Sequence, residues 1–104
     1  MDAAVADFQA QCVAPLAAGA CPVMAADAAG LARIDPPPGS GPGVMAWRTP
    51  SGGMLLIDAY ATGVCRVILP GIAAPSQLPP ATNLTIFSEP TVDGRTALRA
   101  ELLD

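Results

Sequence analysis

The residues with the greatest capacity for chemistry are three cysteines, nine carboxylates and five basic side chains, all five of them arginine. Cys12, Cys21 and Cys65 lie 9 and 44 residues apart, with no histidine anywhere and no C-x-x-C pair. That pattern falls short of a structural zinc set. A redox-active thiolate needs an electropositive setting to lower its pKa. Only Cys65 has a base next to it, Arg66, and strand alternation sends that base to the opposite face. Without histidine, Ser–His and Cys–His nucleophile pairs are excluded. Paired carboxylates could still do acid–base work, from among Asp58, Glu89, Asp93 and Glu101. All but Asp58 fall in or beside a terminal hairpin, where a solvated surface is their ordinary role. The bland reading of Asp58 is a cross-strand pair with Arg48 or Arg66, worth little if exposed.

Other motifs add no activity. The glycines sit in turns, without the strand-to-helix setting of a phosphate loop. Asn83-Leu84-Thr85 fits a glycosylation sequon, which a bacterial origin would leave idle. The expectation is a protein without metal or cofactor and without enzymatic activity.

These residues must be positioned by a short chain. At 104 residues there is room for one domain. Asp2 can cap a helix running to about Val13, because its carboxylate accepts an orphan backbone N–H. Val5, Phe8, Cys12 and Leu16 recur on one helical stripe, and Pro15 and Gly19 end it. A second helix starts at Pro22, carries Val23, Met24, Ala28 and Leu31, and stops at Gly30. Residues 35–43, Asp-Pro-Pro-Pro-Gly-Ser-Gly-Pro-Gly, read as a flexible linker between a helical part, 1–34, and a sheet part, 44–104.

Past the linker the apolar period becomes two. Strands are expected at 44–49, 54–60, 64–69 and 83–88, with turns between the first three. Met45, Trp47, Leu55, Ile57, Cys65, Val67 and Leu69 then share one side, and Arg48, Asp58 and Arg66 the other. A one-residue slip would bury those charges, so the agreement fixes the register. Residues 70–82 form a second proline-rich crossing. The segment 95–103 fits either a helix or a strand. The preceding Asp93-Gly94 favours a hairpin, and only as a strand do Arg95, Arg99 and Glu101 line up. The fold class is therefore α+β, with two N-terminal helices packed on an antiparallel sheet of four to five strands.

This architecture bears on the cysteines. Cys12 lies on the buried helical stripe and Cys65 on the inward sheet face, which favours a Cys12–Cys65 bridge and leaves Cys21 as a free thiol. Three reduced, buried thiols in a cytosolic protein remain the alternative. The chain-entropy model assigns about 4 kcal/mol to the long loop and under about 3 kcal/mol to a Cys12–Cys21 loop.

Composition constrains the partners. Apolar residues make up 52% of the chain and charged residues 13%. That surplus of apolar surface points to a protein partner or self-association. The arginines are dispersed and the net charge is −4, so the basic stripe of a nucleic-acid footprint is missing. The longest uncharged run, 67–88, is broken by four prolines and does not suit a membrane span. The absence of lysine and histidine, with abundant Ala, Gly and Pro, suggests a GC-rich bacterial genome. The first residues carry Asp2 and Asp7 and no base before Arg33, unlike a signal peptide; they read as folded protein.

Phe8-x-x-x-Cys12 on an opening helix, then Trp47, then Cys65-Arg66-Val67 on a strand, resembles a loose group of small exported proteins of alpha-proteobacteria, most of them functionally uncharacterised. The resemblance covers residues 5–69. It implies export and a Cys12–Cys65 bridge from helix to sheet, and implies no activity. Cys21 is additional here, and residues 70–82 are proline-rich where that group tends towards a further helix.

The expectation is thus a non-enzymatic binding or assembly module of the bacterial periplasm or cell exterior, with a cytoplasmic location as the alternative. Its partner would meet the outer sheet face, Arg48, Asp58 and Arg66, or an exposed strand edge. The second reading is a structural subunit of a phage, secretion or envelope particle. An enzyme using carboxylates alone comes third.

Overall fold

The computed structural model describes residues 3–60, 63–71, 78, 81, 83–91 and 93–103. The expected cap at Asp2, the turn residues 61 and 62, and most of the second proline-rich crossing lie outside them.

The chain opens with one continuous helical rod in three parts: α1 (Ala3–Phe8), a π-helical turn (Gln9–Val13) and α2 (Ala14–Ala17). The rod runs past Val13, where the sequence suggested an end. Pro15 has no N–H to give Gln11, and its ring would clash with that carbonyl in a regular helix. The π turn widens the backbone just before it, with Ala14 N–H donating to Gln9 O. Val5, Phe8, Cys12 and Leu16 are all buried, as their spacing required. Gly19, at φ +73°, ends the rod, with Ala20 N–H donating to Pro15 O (2.8 Å) and Gly19 N–H to Leu16 O (3.1 Å). The same two-bond closure ends α3 (Pro22–Ala28) at Gly30. On α3 the buried residues are Pro22 and Ala26, supported by half-buried Val23, whereas Met24 is 71% exposed.

Six strands follow: β1 (Arg33–Ile34), β2 (Val44–Arg48), β3 (Met54–Asp58), β4 (Val64–Ile68), β5 (Leu84–Pro90) and β6 (Thr96–Leu102). All pairings are antiparallel and the order is β1-β2-β3-β4-β6-β5. The ambiguous last segment is a strand, inserted between β4 and β5. The extra strand is β1, too short to show a period of two. Residues 35–43 are the β1–β2 connection, and Pro36, Pro37 and Ser40 are half-buried in it. Ser40 Oγ–H donates to Pro37 O at 2.5 Å, closing the turn.

The inner sheet face carries Trp47, Leu55, Ile57, Cys65, Val67, Leu69, Leu98 and Ala100 against the helices. Two aspartates tie the layers together. Asp27 on α3 accepts the Trp47 indole N–H at 3.0 Å. Asp7 on α1 accepts the Ser51 backbone N–H at 2.9 Å. A disulfide joins Cys12 to Cys65 with Cα atoms 5.5 Å apart, inside the usual range.

Candidate functional site

The cysteines divide as their placement suggested. Cys12 and Cys65 are fully buried in the disulfide, and Cys21 is an exposed free thiol between the two helical segments. Cys21 lines an open groove of about 880 Å³ with Leu16, Val23, Ile57, Val64 and Leu102. Among the described residues no three His, Cys, Asp or Glu side chains gather as a metal would need.

The outer sheet face holds the richer arrangement. Register places three rows across it. The central row runs Ile34, Ala46, Leu56, Arg66, Arg99, Phe87. The next runs Arg48, Met54, Ile68, Ala97, Glu89. On the other side, Val44 opposes Asp58, and Glu101 lies between Val64 and Thr85. Ala46, Leu56, Ile68 and Ala97 are buried as a second, smaller apolar cluster. The sheet is therefore apolar at its centre on both sides.

That cluster floors a groove of about 740 Å³. Pro37, Pro38 and Ser40 of the β1–β2 connection line it, as do Arg66, Arg95 and Arg99. With Arg48, four of the five arginines belong to this face or its rim. Arg99 is held hardest: its Nε and Nη2 both lie 2.6 Å from Glu101 Oε1, and its Nη1 is 3.7 Å from Glu89 Oε1. Its guanidinium also sits 5.9 Å from the centroid of the Phe87 ring. Among the described residues Arg66 has one loose ion pair, 3.8 Å to the same Glu89 oxygen. The outer carboxylates Glu89 and Glu101 thus converge on an arginine on an open sheet face.

At the rim, Arg95 Nε donates to Asp93 Oδ2 at 2.8 Å. The Asp93 carboxyl lies below its ordinary pKa of 3.8. The main cause is the hydrogen bond from Thr91 Oγ, with bonds and charge from Arg95 adding to it and desolvation opposing them.

Of the three residues singled out for this face, only Arg66 lines the groove. Arg48 is exposed across from Met54, and Asp58 lies at the far end of the same hairpin, so they do not pair. Asp58 has no ion pair to either arginine; its Oδ1 accepts the Tyr60 backbone N–H at 2.8 Å, closing the turn after β3. Leu56, Ile68, Ala97 and Arg99 were not singled out from sequence. A signal for two of them exists: Leu55-Leu56-Ile57 and Val67-Ile68-Leu69 are unbroken apolar runs, the mark of strands buried on both faces. No protein-family model matches the chain, and neither a curated protein nor a solved structure shows significant similarity to it.

Proposed function

We propose that this chain is a non-enzymatic protein-binding module whose partner lies in the outer-face groove. The observation that carries this reading is the combination of an apolar floor (Leu56, Ile68, Ala97) with the loosely paired Arg66. An extended segment with apolar side chains and a carboxylate fits both. The apolar contact would supply most of the affinity, and a charge-assisted bond to Arg66 would fix orientation. The Cys12–Cys65 bridge supports work in an oxidising compartment, the bacterial periplasm or cell exterior.

The test is affinity capture from periplasmic extract with the wild-type chain and Arg66→Glu in parallel. Arg66 is partly exposed, so its reversal should leave the fold intact, which circular dichroism checks. Proteins retained by the wild type and lost by the variant support the reading. Equal retention by both, or none by either, counts against it.

A further inference from the structure

The outer edge of β5, the last strand of the sheet, has a polarity that the hydrogen bonds fix. Leu103 N–H donates to Asn83 O at 3.0 Å, and Thr91 N–H donates to Arg95 O at 2.8 Å. Both pairs follow the β5–β6 register, in which Leu84 opposes Leu102 and Pro90 opposes Thr96. In an antiparallel ladder, hydrogen-bonded pairs alternate with non-bonded ones. The bonded pairs of this hairpin are therefore Thr85–Glu101, Phe87–Arg99 and Glu89–Ala97. On the other side of β6, Leu102 N–H donates to Gly63 O and Leu69 N–H to Thr96 O, both at 2.8 Å, so the even-numbered residues of β6 face β4. The two observations agree. Leu84, Ile86 and Ser88 must then direct both backbone N–H and C=O away from the sheet, and among the described residues no backbone group meets them. Pro90 occupies the next outward position, where its missing N–H costs nothing.

We infer that this edge pairs with the same edge of a second copy of the chain. A twofold axis normal to the sheet, passing midway between the two Ile86 residues, sets Leu84 against Ser88 of the other copy and Ile86 against its own mate. Every outward N–H and C=O of Leu84, Ile86 and Ser88 is then satisfied, with Pro90 lying beyond the last bond. No charges are opposed, because the only charged residue of β5, Glu89, also lies beyond the paired stretch. The devices that blunt such edges are missing between Leu84 and Ser88: there is no proline, no charge and no bulge in the register. The other edge, β1, has two residues and cannot serve. The helices pack on the inner sheet face, and an axis normal to the sheet keeps both helical layers on that same side of the joined sheet. The contact is one short strand per copy, far below the roughly 1,200 Å² of a stable interface. The dimer is accordingly weak and concentration-dependent. It is separate from the outer-face groove, and either can fail without the other.

Two measurements test it, with Cys21 alkylated so that thiol exchange contributes nothing. Backbone amide exchange, followed residue by residue as concentration rises, should show Leu84, Ile86 and Ser88 gaining protection together. Thr85, Phe87 and Glu89, already bonded to β6, should change little. Sedimentation equilibrium should show association that Ser88→Pro weakens at least about tenfold, through two symmetry-related hydrogen bonds. Ser88→Ala should leave it unchanged. The proline touches no bond to β6, so the monomer keeps its fold. A chain that stays monomeric up to about 1 mM, or a dimer that ignores Ser88→Pro, overturns the inference.

Discussion

Breaking the Cys12–Cys65 bridge should cost this domain a large share of its stability. The bridge closes a loop between residues 53 apart in sequence. The chain-entropy model then gives a loss of about 4 kcal/mol, against a total of about 5–15 kcal/mol for a typical domain. The corresponding fall in melting temperature is roughly 20 °C for a chain of this size. Both sulfurs are fully buried, so Cys12→Ala/Cys65→Ala adds a cavity penalty that reduction does not. Urea denaturation of three samples separates these effects: oxidised Cys21→Ser protein, the same protein reduced, and the double alanine variant in that background. The oxidised-to-reduced difference isolates the loop entropy, and the reduced-to-variant difference isolates the cavity. The denaturant slope should also rise on reduction, because the unfolded chain loses a constraint and exposes more surface. A loss below about 1 kcal/mol with an unchanged slope would refute this account of how the helical rod is fastened to the sheet.

Asp27→Ala strips the buried Trp47 indole of its acceptor and should destabilise by about 1–3 kcal/mol. Urea titration followed by the fluorescence of this sole tryptophan measures it. Gly53→Ala puts a Cβ 2.5 Å from Ile68 O and 3.1 Å from Thr49 Oγ1, so the β2–β3 turn must shift, at a cost of about 2–3 kcal/mol. Gly71→Ala meets open space and should be close to neutral in the same assay. For Asp93, whose folded pKa is depressed, the linked stability is present above the unfolded value of 3.8 and is lost as pH falls through the lower folded value. An NMR titration should place its carboxyl midpoint below 3.8, and Thr91→Val should move it back up.

Period carried the inner face almost without loss. Trp47, Leu55, Cys65 and Val67 were assigned by strict alternation, and each is buried where the helical stripe of Phe8 and Cys12 meets it. What period cannot carry is partner choice between strands. Nothing local to Thr96–Leu102 says that it lies between β4 and β5, since that insertion satisfies backbone groups on both of its sides at once. Nor does a spacing rule see the π turn, which arises because Pro15 must sit in a rod that Leu16 still has to help bury. Arg48, Asp58 and Arg66 share the outer face as alternation placed them, but the expected ion pair of Asp58 does not form. Asp58 had an opposite charge available on paper, but a short side chain beside a tight turn bonds its own backbone two residues on at far less entropic cost.

The two-sided sheet ties these points to function. A sheet with helices on one face ordinarily presents a polar second face. Here Leu56 at the centre of β3 and Ile68 at the end of β4 break that alternation, and Ala46 and Ala97 flank them with side chains too small to cover the gap. The proline-rich β1–β2 connection shields part of the cluster and also lines the groove. Its residues thus do more than join two parts of the chain. Shortening residues 36–41 to a tight two-residue turn should leave the inner core and the disulfide in place while opening Leu56 to solvent. Binding of a hydrophobic dye should rise, with little change in the Trp47 environment. Loss of the native fold on that deletion would show instead that the connection is part of what holds β1 and β2 together.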